Sequence, residues 1–95
     1  MKVYLTAIVQ SKDGRSERLK PILQNMVQHS RKEEACLQYD LFQSTEDENS
    51  FVFNEIWASQ SGLDWHNEQP YIIDFVKSSE ELLADIQILK TVKIS

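Results

Sequence analysis

The sequence predicts an α+β fold of the ferredoxin-like kind, β-α-β-β-α-β, with a four-stranded antiparallel sheet and helices on one face. Two observations predict it. The spacing of apolar residues switches twice between a period of two and a helical period, in the order that this topology requires. The chain also has only 95 residues, without an internal repeat or linker, so residues 1–95 read as a single domain.

Lys2 to Gln10 opens as a strand. Val3, Leu5, Ala7 and Val9 alternate with Lys2, Tyr4, Thr6 and Gln10, and Ile8 is the one apolar residue on the polar side. "SKDGR" supplies a turn in which Gly14 is free to take positive φ. From Ser16 onward Leu19, Ile22, Leu23, Met26 and Val27 recur at helical spacing. Ser16 is the expected N-cap, and Glu17 suits the positive end of the helix dipole. Pro21 falls past the first turn and lacks an amide donor, so the helix either starts nearer Pro21 or bends there. It fades in the charged stretch "SRKEEA".

Two extended segments follow. "CLQYDLFQS" is expected to place Leu37, Tyr39 and Leu41 on one side, and Cys36, Gln38, Asp40 and Phe42 on the other. "TEDENS" has the chemistry of a hairpin loop. "FVFNEIW" then has the bias of a strand, with Phe51, Phe53, Glu55 and Trp57 on one face. Ser59 or Ser61 caps a short helix carrying Leu63, Trp65 and His66, and Pro70 starts a new helical stretch with Ile72, Phe75 and Val76. Ser78 and Glu81 have capping-box spacing ahead of Leu82 and Leu83. "DIQILKTVKIS" closes the chain as a strand, alternating Ile86, Ile88, Val92 and Ile94 with Gln87, Leu89, Thr91 and Lys93.

Composition narrows the function. The net charge is −5, from 15 acidic and 10 basic residues, and the basic residues are scattered apart from Arg31–Lys32, which argues against nucleic-acid binding. No segment approaches the roughly 20 apolar residues of a membrane span, and the N-terminus lacks the pattern of a signal peptide. Cys36 is the single cysteine, so no intrachain disulfide forms and a cytoplasmic location is expected. Several strands carry apolar groups on both faces while helices cover only one. The uncovered face predicts a homodimer packed sheet to sheet.

His66 and Glu55 are the candidate catalytic residues. An imidazole exchanges a proton near neutral pH, and Leu63 one turn away would turn this ring toward the sheet. The alternative is a half-buried histidine hydrogen-bonded to backbone. Glu55 shares a strand face with Phe51, Phe53 and Trp57, where burial would raise its pKa and make it a proton acceptor. The alternative there is a wet strand end or a local partner. Trp57, Trp65 and Tyr71 could wall a pocket for a flat substrate, or simply fill the core. Tyr71 follows Pro70 directly, which would put its phenol at a pocket mouth. Phe53 and Tyr39 complete the expected substrate-binding set. His29, near the end of the first helix, reads as a solvated surface group. No metal-ligand spacing, phosphate loop or dinucleotide fingerprint occurs, so neither a metal nor a cofactor is expected.

The stretch "SRKEEACLQYDLFQSTEDENSFVFNEIWASQSGLDWHNEQPY" resembles the antibiotic biosynthesis monooxygenase family and its quinol-monooxygenase-like members. The family pattern of a Glu-Pro-Gly-Cys turn, a tyrosine-bearing strand, Glu-x-Trp, Leu-x-x-His and Ser-Pro-His-Phe falls here on Glu34 and Cys36, Tyr39, Glu55 with Trp57, Leu63 with His66, and Pro70 with Tyr71. The resemblance implies a dimeric α+β barrel with a pocket between helices and sheet in each subunit. It implies cofactor-free oxidation of a phenol or quinol by oxygen, with His66 as base or hydrogen-bond partner, Glu55 orienting or tuning it, and the tryptophans shaping the pocket. Two positions depart from the pattern. Pro-Gly is replaced by Glu34–Ala35, and the second histidine by Tyr71, whose phenol, with a pKa of about 10, is a poor base at neutral pH. Related branches degrade haem or isomerise a small polar autoinducer. The first is disfavoured, since Lys2 to Gln10 has no asparagine and Val76 stands where an axial histidine belongs. The second stays open, as does a non-catalytic binding domain of the same fold.

Overall fold

The computed structural model describes residues 1–95. The elements run β1 (Val3–Ser11), α1 (Ser16–Ser30), β2 (Cys36–Gln43), β3 (Ser50–Trp57), α2 (Gln60–Asn67), α3 (Pro70–Ser78) and β4 (Leu83–Thr91). The four strands form one antiparallel sheet in the order β2-β3-β1-β4, and the helical region expected between β3 and β4 is two helices meeting at Pro70.

The register explains which side chains face the helices. Leu5 lies opposite Glu55, Ala7 opposite Phe53 and Val9 opposite Phe51, and directly paired residues share a sheet face. That face is covered by Leu19, Leu23, Met26 and Val27 of α1, Leu63 of α2 and Phe75 of α3, all buried. The opposite face presents Tyr4, Ile8, Val52 and Ile56 half-buried, with Phe42 and Leu89 exposed beside them. No helix covers it.

Local expectations fail in four places. α1 starts at Ser16, ahead of Pro21, and continues past it to Ser30, and Ser16 is in its first turn rather than its cap; Arg15 takes the cap position without a side-chain bond. The β2–β3 pairing shifts between Cys36 and Gln38, so Leu37 is turned outward while Tyr39 is buried. A one-residue irregularity of this kind flips every side chain on one side of it to the other face. Ser78 ends α3 instead of capping a new helix with Glu81. β4 stops at Thr91, leaving Val92 and Ile94 outside the sheet.

Candidate active site

His66 is brought inside by the way α2 begins. Ser59 is extended, and its hydroxyl accepts from the Gly62 amide at 3.1 Å. That cap sets the helix phase, and Leu63 and His66, three residues apart, become its two buried residues. Gly62 is pressed against the turn before β2, where any Cβ on it would collide with that of Ala35.

A cavity of about 240 Å³ lies between the helices and the inner sheet face. Leu5, Ala7, Val9 and Phe53 form its floor, with Tyr39, Leu63 and Phe75 among its walls. Its polar lining is Glu55, His66 and Asn67, and no lysine or arginine reaches it. Val76 of α3 and Ile86 and Ile88 of β4 line it while remaining exposed, which places its mouth between those two elements.

Glu55 is 6% exposed, and its Oε1 accepts from the Trp57 indole N–H at 2.9 Å. Burial pushes its carboxyl up to about 7, against a smaller lowering by the Trp57 bond. Both protonation states are therefore populated near neutral pH. Trp57 is fully buried behind the cavity, and its ring packs on His66 with centroids 4.4 Å apart.

His66 is held from its far side. Its Nδ1 lies 2.7 Å from Glu33 Oε2, and both side chains are at least nine-tenths buried. The Tyr71 hydroxyl donates to the same Glu33 oxygen and lies 3.1 Å from both His66 Nδ1 and Ser30 Oγ. Neither Glu33 nor Tyr71 lines the cavity, whereas the His66 ring does. Burial, then the Glu33 carboxylate, raise the Tyr71 phenol well above its usual range, so it keeps its proton. Tyr39 is raised likewise, by burial and then by Glu55.

The structure thus brings His66, Glu55, Phe53 and Tyr39 together around one cavity and sets Trp57 directly behind them. Three expectations need correction. Trp65 is 63% exposed and lies beside Glu34 and Ala35 on the outer side of α2, because a residue two positions from Leu63 points away from Leu63's face. Tyr71 is not at the mouth but behind the histidine, with its ring stacked on that of His29. Glu55 makes no hydrogen bond to His66; Glu33 does.

Glu33 and Ser30 were not among the expected site residues; with Glu34–Ala35 at the Pro-Gly and Cys36 at the end of the turn motif, its glutamate is Glu33, whereas Glu34, named there, is one position off and exposed. A second signal was present. A carboxylate just past a helix C-terminus is at the unfavourable end of the dipole, so another partner must hold it. No group of three His, Cys, Asp or Glu side chains is placed to hold a metal ion.

With this geometry in hand, the chain matches the family model described as antibiotic biosynthesis monooxygenase over residues 3–78. It is 37% identical over 90 residues to the Bacillus subtilis protein "Putative monooxygenase YcnE", covering 94% of this chain and 95% of that one. It is 32% identical to the uncharacterized protein sll1783 of Synechocystis, over 98% of this chain but only 63% of that protein's length. Among solved structures, PA3566 from Pseudomonas aeruginosa superposes with a TM-score of 0.95 at 30% identity, covering 99% of this chain and 95% of that one.

Proposed function

The chain belongs to the antibiotic biosynthesis monooxygenase family, and from that premise we propose that it is an oxidoreductase that uses oxygen to oxidise a phenol or quinol bound in the cavity beneath β1, β3 and β4. The observation that carries this reading is a buried histidine and a buried carboxylate, raised by that burial, lining one apolar cavity. His66 accepts the phenolic proton, leaving an electron-rich anion that can reduce oxygen. Glu55 is the second proton-exchanging group, and the apolar walls keep water from the intermediates. Phe53, Tyr39 and Leu63 contact the ring. A cavity of about 240 Å³ suits a substrate of one or two rings.

The lining also weighs against the polar-metabolite alternative. A phosphorylated or carboxylated compound would bring its charge to Glu55 without a lysine or arginine to offset it. A neutral phenol needs only one hydrogen-bond acceptor.

The uncovered sheet face carrying Tyr4, Ile8, Val52, Ile56, Phe42 and Leu89 supports a homodimer packed through the sheets. No helix of the chain is long and apolar enough to cross a membrane. The test of the reaction is oxygen uptake with a panel of hydroquinones and naphthols, comparing wild type with His66→Ala. Uptake that His66→Ala leaves unchanged would remove His66 from the mechanism. No uptake with any member, together with tight binding of an anionic metabolite, would move the assignment to the isomerase-like alternative.

A further inference from the structure

We infer that Glu33 is the positioning residue of His66: it fixes the ring as the Nδ1–H tautomer, so that Nε2 carries its lone pair toward the cavity, and Tyr71 braces this arrangement. This role rests on the reading of His66 as the cavity base, and it makes Glu33 rather than Glu55 the group that orients the ring.

Donors and acceptors decide the tautomer. Glu33 Oε2 receives the Tyr71 O–H and stands 2.7 Å from His66 Nδ1. An ionised carboxylate has only lone pairs to offer, so at that distance Nδ1 must present its hydrogen. The opposite tautomer would set two lone pairs against each other inside a pair that is nine-tenths buried. Tyr71 has one hydrogen and spends it on Glu33, so it cannot also donate to Nδ1, 3.1 Å away. Ser30 Oγ, fully buried at 3.1 Å, is then left to donate to the phenol oxygen.

His66 Nε2 has no protein partner and is not sealed off from space, whereas Glu33 Oε1 is both buried and unpartnered. The second fact is costly for a structural ion. When Nε2 takes a proton, the proton leaves the substrate hydroxyl, the substrate becomes the anion, and the ring becomes an imidazolium hydrogen-bonded through Nδ1 to Glu33 Oε2, whose carboxylate then faces a positive charge. A histidine at the position of Tyr71 in the family pattern could itself carry protons. A phenol that holds its proton turns that position into a support, and the substrate proton passes to His66 instead.

The experiment is ¹⁵N NMR of the His66 imidazole, at a pH where the ring is neutral, in wild type, Glu33→Leu and Tyr71→Phe, with circular dichroism to verify the fold. Wild type is expected to show a protonated Nδ1 and a bare Nε2, Tyr71→Phe to retain that pattern, and Glu33→Leu to gain the Nε2–H form. With a quinol that supports His66-dependent uptake, Glu33→Leu should lower kcat about 100-fold or more, the scale of a misplaced general base. Wild type showing Nε2–H overturns the inference without any variant, so it stays testable if Glu33→Leu does not fold. A folded Glu33→Leu that keeps Nδ1–H overturns it as well. The nitrogen signature needs no turnover, so absence of oxygen uptake sinks the proposed oxidation and leaves the assignment of Glu33 to be decided separately.

Discussion

The indole of Trp57 donates to Glu55 at 2.9 Å while its ring packs on His66 at 4.4 Å, so one side chain touches both proton-exchanging groups of the cavity. The bond lowers the Glu55 carboxyl against the larger effect of burial. Trp57→Phe is therefore expected to raise the Glu55 carboxyl above its value of about 7, as read by ¹³C NMR of that carboxyl. It should also cost about 1.5–3 kcal/mol above pH 8, where Glu55 is ionised, and less at pH 5. An unmoved carboxyl titration would mean that the bond is not made in solution.

Glu55 should also shape stability against pH. Its carboxyl is at about 7 in the fold against 4.5 for the free group, so between those values the folded chain binds more protons than the unfolded chain. Stability therefore falls as pH rises from about 4.5 to about 7 and is flat beyond. The decline is at most about 3 kcal/mol from this group, since a tenfold change in proton affinity is worth about 1.36 kcal/mol. Glu55→Gln keeps an acceptor for Trp57 and removes the charge. Urea melts at pH 8 should show it more stable than wild type, and the gap should close near pH 4.

Cys36 should be a slow nucleophile. Burial, then Glu33 and Glu55 nearby, push its thiol up to about 11 from 9.0. At pH 7.5 that leaves about 100-fold less thiolate than an unperturbed thiol would have, and iodoacetamide should react about 100-fold more slowly than with a free cysteine peptide. Reaction at the peptide's rate would show that the β2 edge opens readily.

Gly62→Ala should destabilise the fold even though alanine is the better helix former by about 1 kcal/mol. The added methyl meets the Ala35 side chain, and overpacking of this kind costs about 1–3 kcal/mol. Ala35→Gly in the same chain should recover part of the loss. Additive losses in thermal melts would count against a direct collision.

Periodicity was enough for the strand faces, because Leu5, Ala7, Val9, Phe51, Phe53, Glu55 and Trp57 obey a period of two without interruption. It was not enough for Leu37, since a register shift is settled by the partner strand and leaves no local pattern. The same logic divides the site. Glu55 and His66 could be found from one element each. Trp65 could have been set aside from the phase of α2, which cannot bury Leu63, Trp65 and His66 together. Glu33 was marked only weakly, by its place past the C-terminus of α1 and by the turn motif that ends at Cys36, because its partner is 33 positions away and it stands beside a second glutamate.

The mouth of the cavity is framed by β4, the strand of this sheet farthest in sequence from β1. β1 pairs with β4 from Tyr4 opposite Thr91 to Ser11 opposite Leu83. Contacts that distant in sequence close late and slow the search for the native state. Leu5, Ala7 and Val9 gain their outer neighbour only when residues about 80 positions later have been made and paired. Until that pairing closes, β1 keeps an unpaired edge beside the cavity, the kind of edge at which incompletely folded chains associate.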